Sequence, residues 1–80
     1  MTELPELIKG VKKRKKSFQR ELYNRYAPIM RAICIRYTKD HDEAEDILQE
    51  GFIKLFTKIN QYSGAGSFEG WMKRVFINTS

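Results

Sequence analysis

The sequence predicts an all-α domain, a small bundle of three to four helices, and three observations carry that reading. Apolar residues recur at helical spacing in successive segments, separated by short stretches that break the pattern. Eighty residues, 41% of them hydrophobic and 12% aromatic, suit a single compact domain with a small core. The charged fraction, 31%, is too mixed in sign for a disordered tail. The expected core comprises Ile29, Ile33, Ile47, Leu48, Leu55, Trp71 and Met72.

Residues Thr2 to Val11 place Leu4, Leu7, Ile8 and Val11 at helical spacing, with Pro5 tolerated in a first turn and Thr2 or Glu3 near the cap. Gly10 and the run Lys12, Lys13, Arg14, Lys15, Lys16 then interrupt the pattern. A longer periodic segment begins at Ser17 and carries Phe18, Leu22, Tyr26, Ile29, Met30, Ile33 and Tyr37. Pro28 lies inside it and removes one backbone hydrogen bond, so a kink or a division near Tyr26 and Ala27 is expected. Thr38 to His41 reads as a tight connection, and Asp40 with Glu43 makes a capping box for the next helix, from about Asp42 to Asn60. Gln61 to Ser67 is a loop with two glycines. Ser67 can cap a last helix, and Glu69 suits the positive end of its dipole. On that helix Phe68, Trp71, Met72, Val75 and Thr79 should point inward, and Lys73, Arg74 and Ile77 outward. No capping glycine or proline ends it before Ser80, so the sequence reads as the N-terminal part of a longer chain.

The segment Asp40 to Phe56 builds a helix with two usable faces. At about 100° per residue, Ala44, Ile47, Leu48, Gly51, Leu55 and Ile59 gather on one side, while Asp42, Asp46, Gln49, Glu50 and Ile53 gather opposite. A helix needs only one apolar face to fold. Two readings fit the second face: a solvated acidic surface with one stray isoleucine, or a docking surface for a partner helix that is basic at its rim.

The net charge of +5 conceals a segregation, because Lys9 to Lys39 is mostly basic while Asp40 to Glu50 holds most of the acids. Basic regions attract phosphates through counterion release, and acidic ones meet basic proteins. The lysine run is either such a contact or simply the wet side of a helix end. One cysteine, Cys34, cannot form an internal disulfide, and its neighbours Met30, Ile33 and Ile35 favour a buried structural thiol. No apolar run approaches a membrane span and the N-terminus lacks a signal-peptide core, so a reduced cytoplasmic setting fits and no membrane association is expected. His41, the only histidine, has no second ligand or nucleophile beside it and reads as a loop residue. The acids Asp42, Glu43, Glu45, Asp46 and Glu50 share a helix without the loop geometry of a calcium site. Nothing forms a catalytic constellation, so neither an enzyme, a cofactor, a metal nor a small-molecule substrate is expected.

The last third carries the other chemistry. A small-residue loop flanked by Tyr62 and Phe68 leads into a helix with Lys73 and Arg74 on its wet face. A flipped base needs a shallow pocket, backbone hydrogen-bonding groups and nearby cations, and this loop and helix offer all three. Gly64 and Gly66 also suit a plain helix connection, and Trp71 with Phe68 also suit core packing.

The segments DEAEDILQEGFIKLF and SFEGWMKRVFINTS, joined by the glycine loop, closely resemble the second conserved region of bacterial sigma factors, particularly the compact extracytoplasmic-function group. The upstream segment FQRELYNRYAPIMRAICIRY looks like that family's first long helix. The patterns DxxQE and FxxWxxRxxxN are together highly specific at this separation. The resemblance covers nearly the whole chain, and residues 1–80 then form one sigma region 2 domain, with the helix-turn-helix domain of such factors outside them. It implies a non-catalytic subunit that gives RNA polymerase its promoter specificity. The helix with the DxxQE pattern would bind the clamp helices of the polymerase largest subunit through Asp46, Gln49, Glu50, Ile53 and Phe56. The loop Tyr62, Ser63, Gly64, Ala65, Gly66, Ser67 would accept a flipped base of the minus-ten promoter element from the non-template strand and help melt the duplex. Lys73, Arg74 and Asn78 would contact that strand or its phosphates. Anti-sigma proteins, which hold many members of the family, are a further class of partner. The sequence departs from the pattern at Ser63, where many relatives carry a basic residue, and at Met72, where housekeeping members carry the second of two tryptophans. Two other classes compete: a helical adaptor that binds protein and no DNA, and a repressor that prefers closed duplex.

Overall fold

The computed structural model describes the backbone of residues 2–79 and the side chains of residues 2–77. Its elements are α1 (Leu4–Lys12), α2 (Lys16–Tyr37), α3 (His41–Lys58), a 3-10 turn (Ile59–Gln61) and α4 (Phe68–Thr79). The all-α bundle expected from the sequence is therefore the observed architecture. Consecutive helices pack on one another, α1 on α2, α2 on α3 and α3 on α4, and the 3-10 turn lies against α1.

Side-chain periodicity explains this order. On α2 the buried line is Leu22, Tyr26, Met30 and Cys34, spaced four apart, so one stripe faces α1 and α3. That register corrects one expected core residue: Ile29 lies about 100° away from Met30 and is 43% exposed. Tyr37 is likewise exposed, while Ile33, Ile47 and Trp71 are partly buried against the core. Leu48, Leu55 and Met72 are completely buried, as expected. Each such side chain contributes about 1.5–3 kcal/mol by leaving water. Two aromatic core residues, Phe52 and Phe76, were not anticipated; their rings meet edge-on with centroids 5.1 Å apart.

Pro28 does not divide α2, which runs unbroken from Lys16 to Tyr37. Proline frees the carbonyl four residues earlier, and both Pro28 and Asn24 lie on the exposed face, where solvent can satisfy that oxygen. The helix starts also need adjustment. At the start of α1 Glu3 takes the N-cap position without a side-chain capping bond; Thr2 donates through its backbone N–H and hydroxyl to the Glu21 carboxylate, at 3.1 and 2.9 Å, and ties the N-terminus to α2. Asp40 does cap α3, its Oδ1 accepting the Glu43 N–H at 2.7 Å, and His41 is the first helical residue rather than a loop residue. Ser67 Oγ accepts the Gly70 N–H at 3.2 Å and caps α4.

Two glycines permit close helix crossings. A Cβ on Gly10 would stand 2.4 Å from the Phe18 ring, and a Cβ on Gly51 would stand 2.4 Å from the Phe76 ring. Rings thus lie directly on the backbone at the α1–α2 and α3–α4 crossings. The turn between α1 and α2 holds Arg14 at φ 64, a left-handed conformation. Its guanidinium donates to the Phe56 carbonyl oxygen at 3.0 Å, fastening the turn to the last turn of α3.

Candidate docking face and nucleic-acid interface

The outer face of α3 is as the wheel predicts. Asp46, Gln49, Glu50 and Ile53 are all exposed, and Ile53 shows 66% of its surface. Phe56 is partly buried. With Tyr23, Gln49, Phe52 and Phe56, Ile53 lines a groove of about 260 Å³. Tyr23, from α2, was not anticipated at this face. The ion pairs among the described residues join Arg25 to Glu21 and Arg31 to Glu45, leaving Asp46 and Glu50 without a cationic partner there. The face therefore presents an apolar groove bordered by open carboxylates.

The loop after the 3-10 turn is built from its backbone. Gly64 and Gly66 have φ of 89 and 77, conformations in which an L side chain is strained. A Cβ at either would meet nothing within 4 Å, so glycine is favoured here by the backbone angle and not by space. Ser63, Gly64, Ala65, Gly66 and Ser67 are exposed. Tyr62, expected to present itself to a base, is only 7% exposed. Its hydroxyl donates to the Gly66 carbonyl oxygen at 3.0 Å, and its ring packs on Phe68 and Trp71 at 5.2 and 5.4 Å. Tyr62 is thus the floor and clasp of the loop. Trp71 completes this aromatic cluster by stacking on Phe68, centroids 5.8 Å apart. Lys73 and Arg74 are exposed on α4, while the side chain of Asn78, like that of Thr79, lies outside the described residues. A groove of about 540 Å³ opens beside the loop, lined on one side by Tyr62, Gly64, Gly66, Ser67 and Phe68.

Among known proteins, the profile described as Sigma-70 region 2 matches residues 22–80. The chain belongs to the sigma-70 region 2 family. Its relatives include the RNA polymerase sigma-H factor of Pseudomonas aeruginosa, 29% identical over 94% of this chain and 39% of that protein. The ECF RNA polymerase sigma factor SigE of Mycolicibacterium smegmatis is 34% identical over 72% of this chain and 22% of its own length. The ECF RNA polymerase sigma factor SigW of Bacillus subtilis is 31% identical over 89% of this chain and 38% of its own. This sigma region 2 domain is accordingly of the extracytoplasmic-function type, and the chain spans about two fifths or less of the length of these relatives.

Within this sigma domain the departure at Met72 has a structural reading. Met72 is completely buried, so its position belongs to the packing of α4 and presents nothing to solvent. Cys34 is buried and free, and its thiol pKa is raised by burial and, secondarily, by the Glu45 carboxylate, as befits a structural thiol. Among the described residues no group of three or more His, Cys, Asp or Glu is placed to hold a metal ion, and no helix is long and apolar enough to cross a membrane.

Proposed function

We propose that this domain serves a transcription initiation factor without catalytic activity of its own, docking on the RNA polymerase core through the outer face of α3. The partner there is the pair of clamp helices of the largest subunit, met by Asp46, Gln49, Glu50, Ile53 and Phe56. The loop Tyr62 to Ser67, with Lys73, Arg74 and Asn78, captures unpaired non-template bases of the minus-ten promoter element and so helps melt the duplex. The Tyr62 contribution is indirect, through the shape of the loop. The factor works in the cytoplasm, where polymerase is found, and is open to restraint by an anti-sigma protein.

The observation that carries this reading is Ile53, two-thirds exposed on the rim of an apolar groove and flanked by carboxylates that no described cation neutralises. A solvated helix face gains nothing from that arrangement, whereas a basic-rimmed partner helix would bury the groove and pair the acids. A pull-down of polymerase core with Gln49→Lys and Glu50→Lys together tests it. Placing two positive charges at the rim should abolish capture, and undiminished capture would exclude this face as the docking site.

A further inference from the structure

The groove beside the loop has a second wall, and it comes from the other end of the chain. Leu4, Pro5, Ile8 and Lys12 fall on one face of α1 and close the cavity opposite Gly64, Gly66 and Ser67. The volume, about 540 Å³, is that of a small-molecule site. Apolar side chains supply flanks on which a planar ring can lie, and the aromatic pair Tyr62 and Phe68 supplies the floor. Lys12 supplies polarity. Its Nζ donates to the Tyr62 carbonyl oxygen at 2.7 Å and stands 6.0 Å from the Tyr62 ring centroid. An ammonium group has three N–H donors. One is used, and the others have no acceptor among the described residues. Lys9 of α1 and Lys13 and Lys15 of the following turn are exposed and line a second groove, together with Glu6, where a phosphate of the strand would meet cations.

We infer that α1 is the second wall of the pocket that receives the unpaired base, and that Lys12 donates to a carbonyl oxygen on that base. This rests on the base-capture role proposed for the loop and adds a charged donor to the neutral ones the loop itself carries. Lys12 only donates, so the atom it meets must accept: a thymine, cytosine or guanine carbonyl oxygen satisfies it, whereas an exocyclic amino group does not, and adenine could offer only its ring nitrogens.

The test uses holoenzyme assembled from polymerase core and the full-length factor, with fluorescent bubble DNA. An abasic scan of the non-template strand first locates the captured position. At that position a carbonyl-bearing base is compared with the same ring lacking the carbonyl, for the wild type, Lys12→Met and Lys12→Arg. Lys12→Met should weaken binding to the carbonyl base roughly ten-fold and leave binding to the analogue unchanged, with Lys12→Arg close to wild type. Equal losses on both bases would mean that Lys12 only orders the loop or touches phosphate, and would overturn the inference. No loss on either would overturn it as well. A wild type indifferent to every abasic site would instead remove the base-capture reading on which the inference stands.

Discussion

At the scale of single residues, environment decides what each group can do. Cys34 sits in the buried stripe of α2, and burial, with Glu45 adding to it, raises the thiol pKa above its ordinary value of about 8.5. The folded thiol therefore holds its proton at a pH where the unfolded one has released it. Stability from this group is complete below about pH 8.5 and declines as pH rises toward the folded pKa. Tyr26, also raised by burial and then by Glu69, extends the decline to higher pH. Denaturation midpoints measured from about pH 7 to 10 should fall with pH, and Cys34→Ala should flatten the first part of that fall. An identical slope in the variant would show that Cys34 does not contribute. The burial of Cys34 was legible from its apolar neighbours. That of Tyr62 was not, because an aromatic residue at a loop edge reads equally as a platform or a plug until its hydroxyl partner, the Gly66 carbonyl, is known.

At the scale of elements, caps and stripes were readable while crossings were not. Asp40 and Ser67 start their helices as local sequence predicts, because capping involves residues three apart. The exposed Ile53 followed from the wheel alone. Pro28 did not divide its helix, because its effect depends on whether the freed carbonyl faces solvent. Gly51 falls on the buried stripe of the wheel, but its purpose is visible only with Phe76 lying against it. Gly51→Ala adds a methyl 2.4 Å from that ring, where either the ring or α4 must move. Overpacking of this kind costs about 1–3 kcal/mol, against about 1 kcal/mol gained in helix propensity, so a net loss in the unfolding free energy is expected. Phe76→Leu in the same background should recover part of it. If Gly51→Ala alone unfolds no more readily than wild type, the crossing is looser than described.

At the scale of the whole molecule, the arrangement of surfaces rests on contacts distant in sequence. Lys12 reaches Tyr62 across fifty residues, which is why the pocket wall on α1 had no trace in any local pattern. The lysine run was legible only as charge. Two of its members, Lys12 and Arg14, turn out to bind backbone carbonyls of the 3-10 segment's neighbourhood, and the others remain exposed. Lys73 and Arg74 face solvent as their helical register predicts, and their role at phosphates is open to measurement. In holoenzyme binding to bubble DNA, replacing both with glutamine should lower the slope of log affinity against log salt by about 0.7 for each phosphate no longer neutralised. An unchanged slope would mean that the strand runs elsewhere.

The turn that holds Arg14 shows what such long-range contacts ask of local chemistry. Glycine would take a φ of 64 without strain, whereas other residues give up about 1–2 kcal/mol there. Arginine occupies the position and spans the gap to the Phe56 carbonyl. The choice favours reach over local ease: the side chain is a strut between the first helical hairpin and the end of the third helix. The same residue, Phe56, offers its ring to the groove beside Ile53 and its carbonyl to that strut. Whatever presses on the groove from outside therefore bears on a point already braced from within.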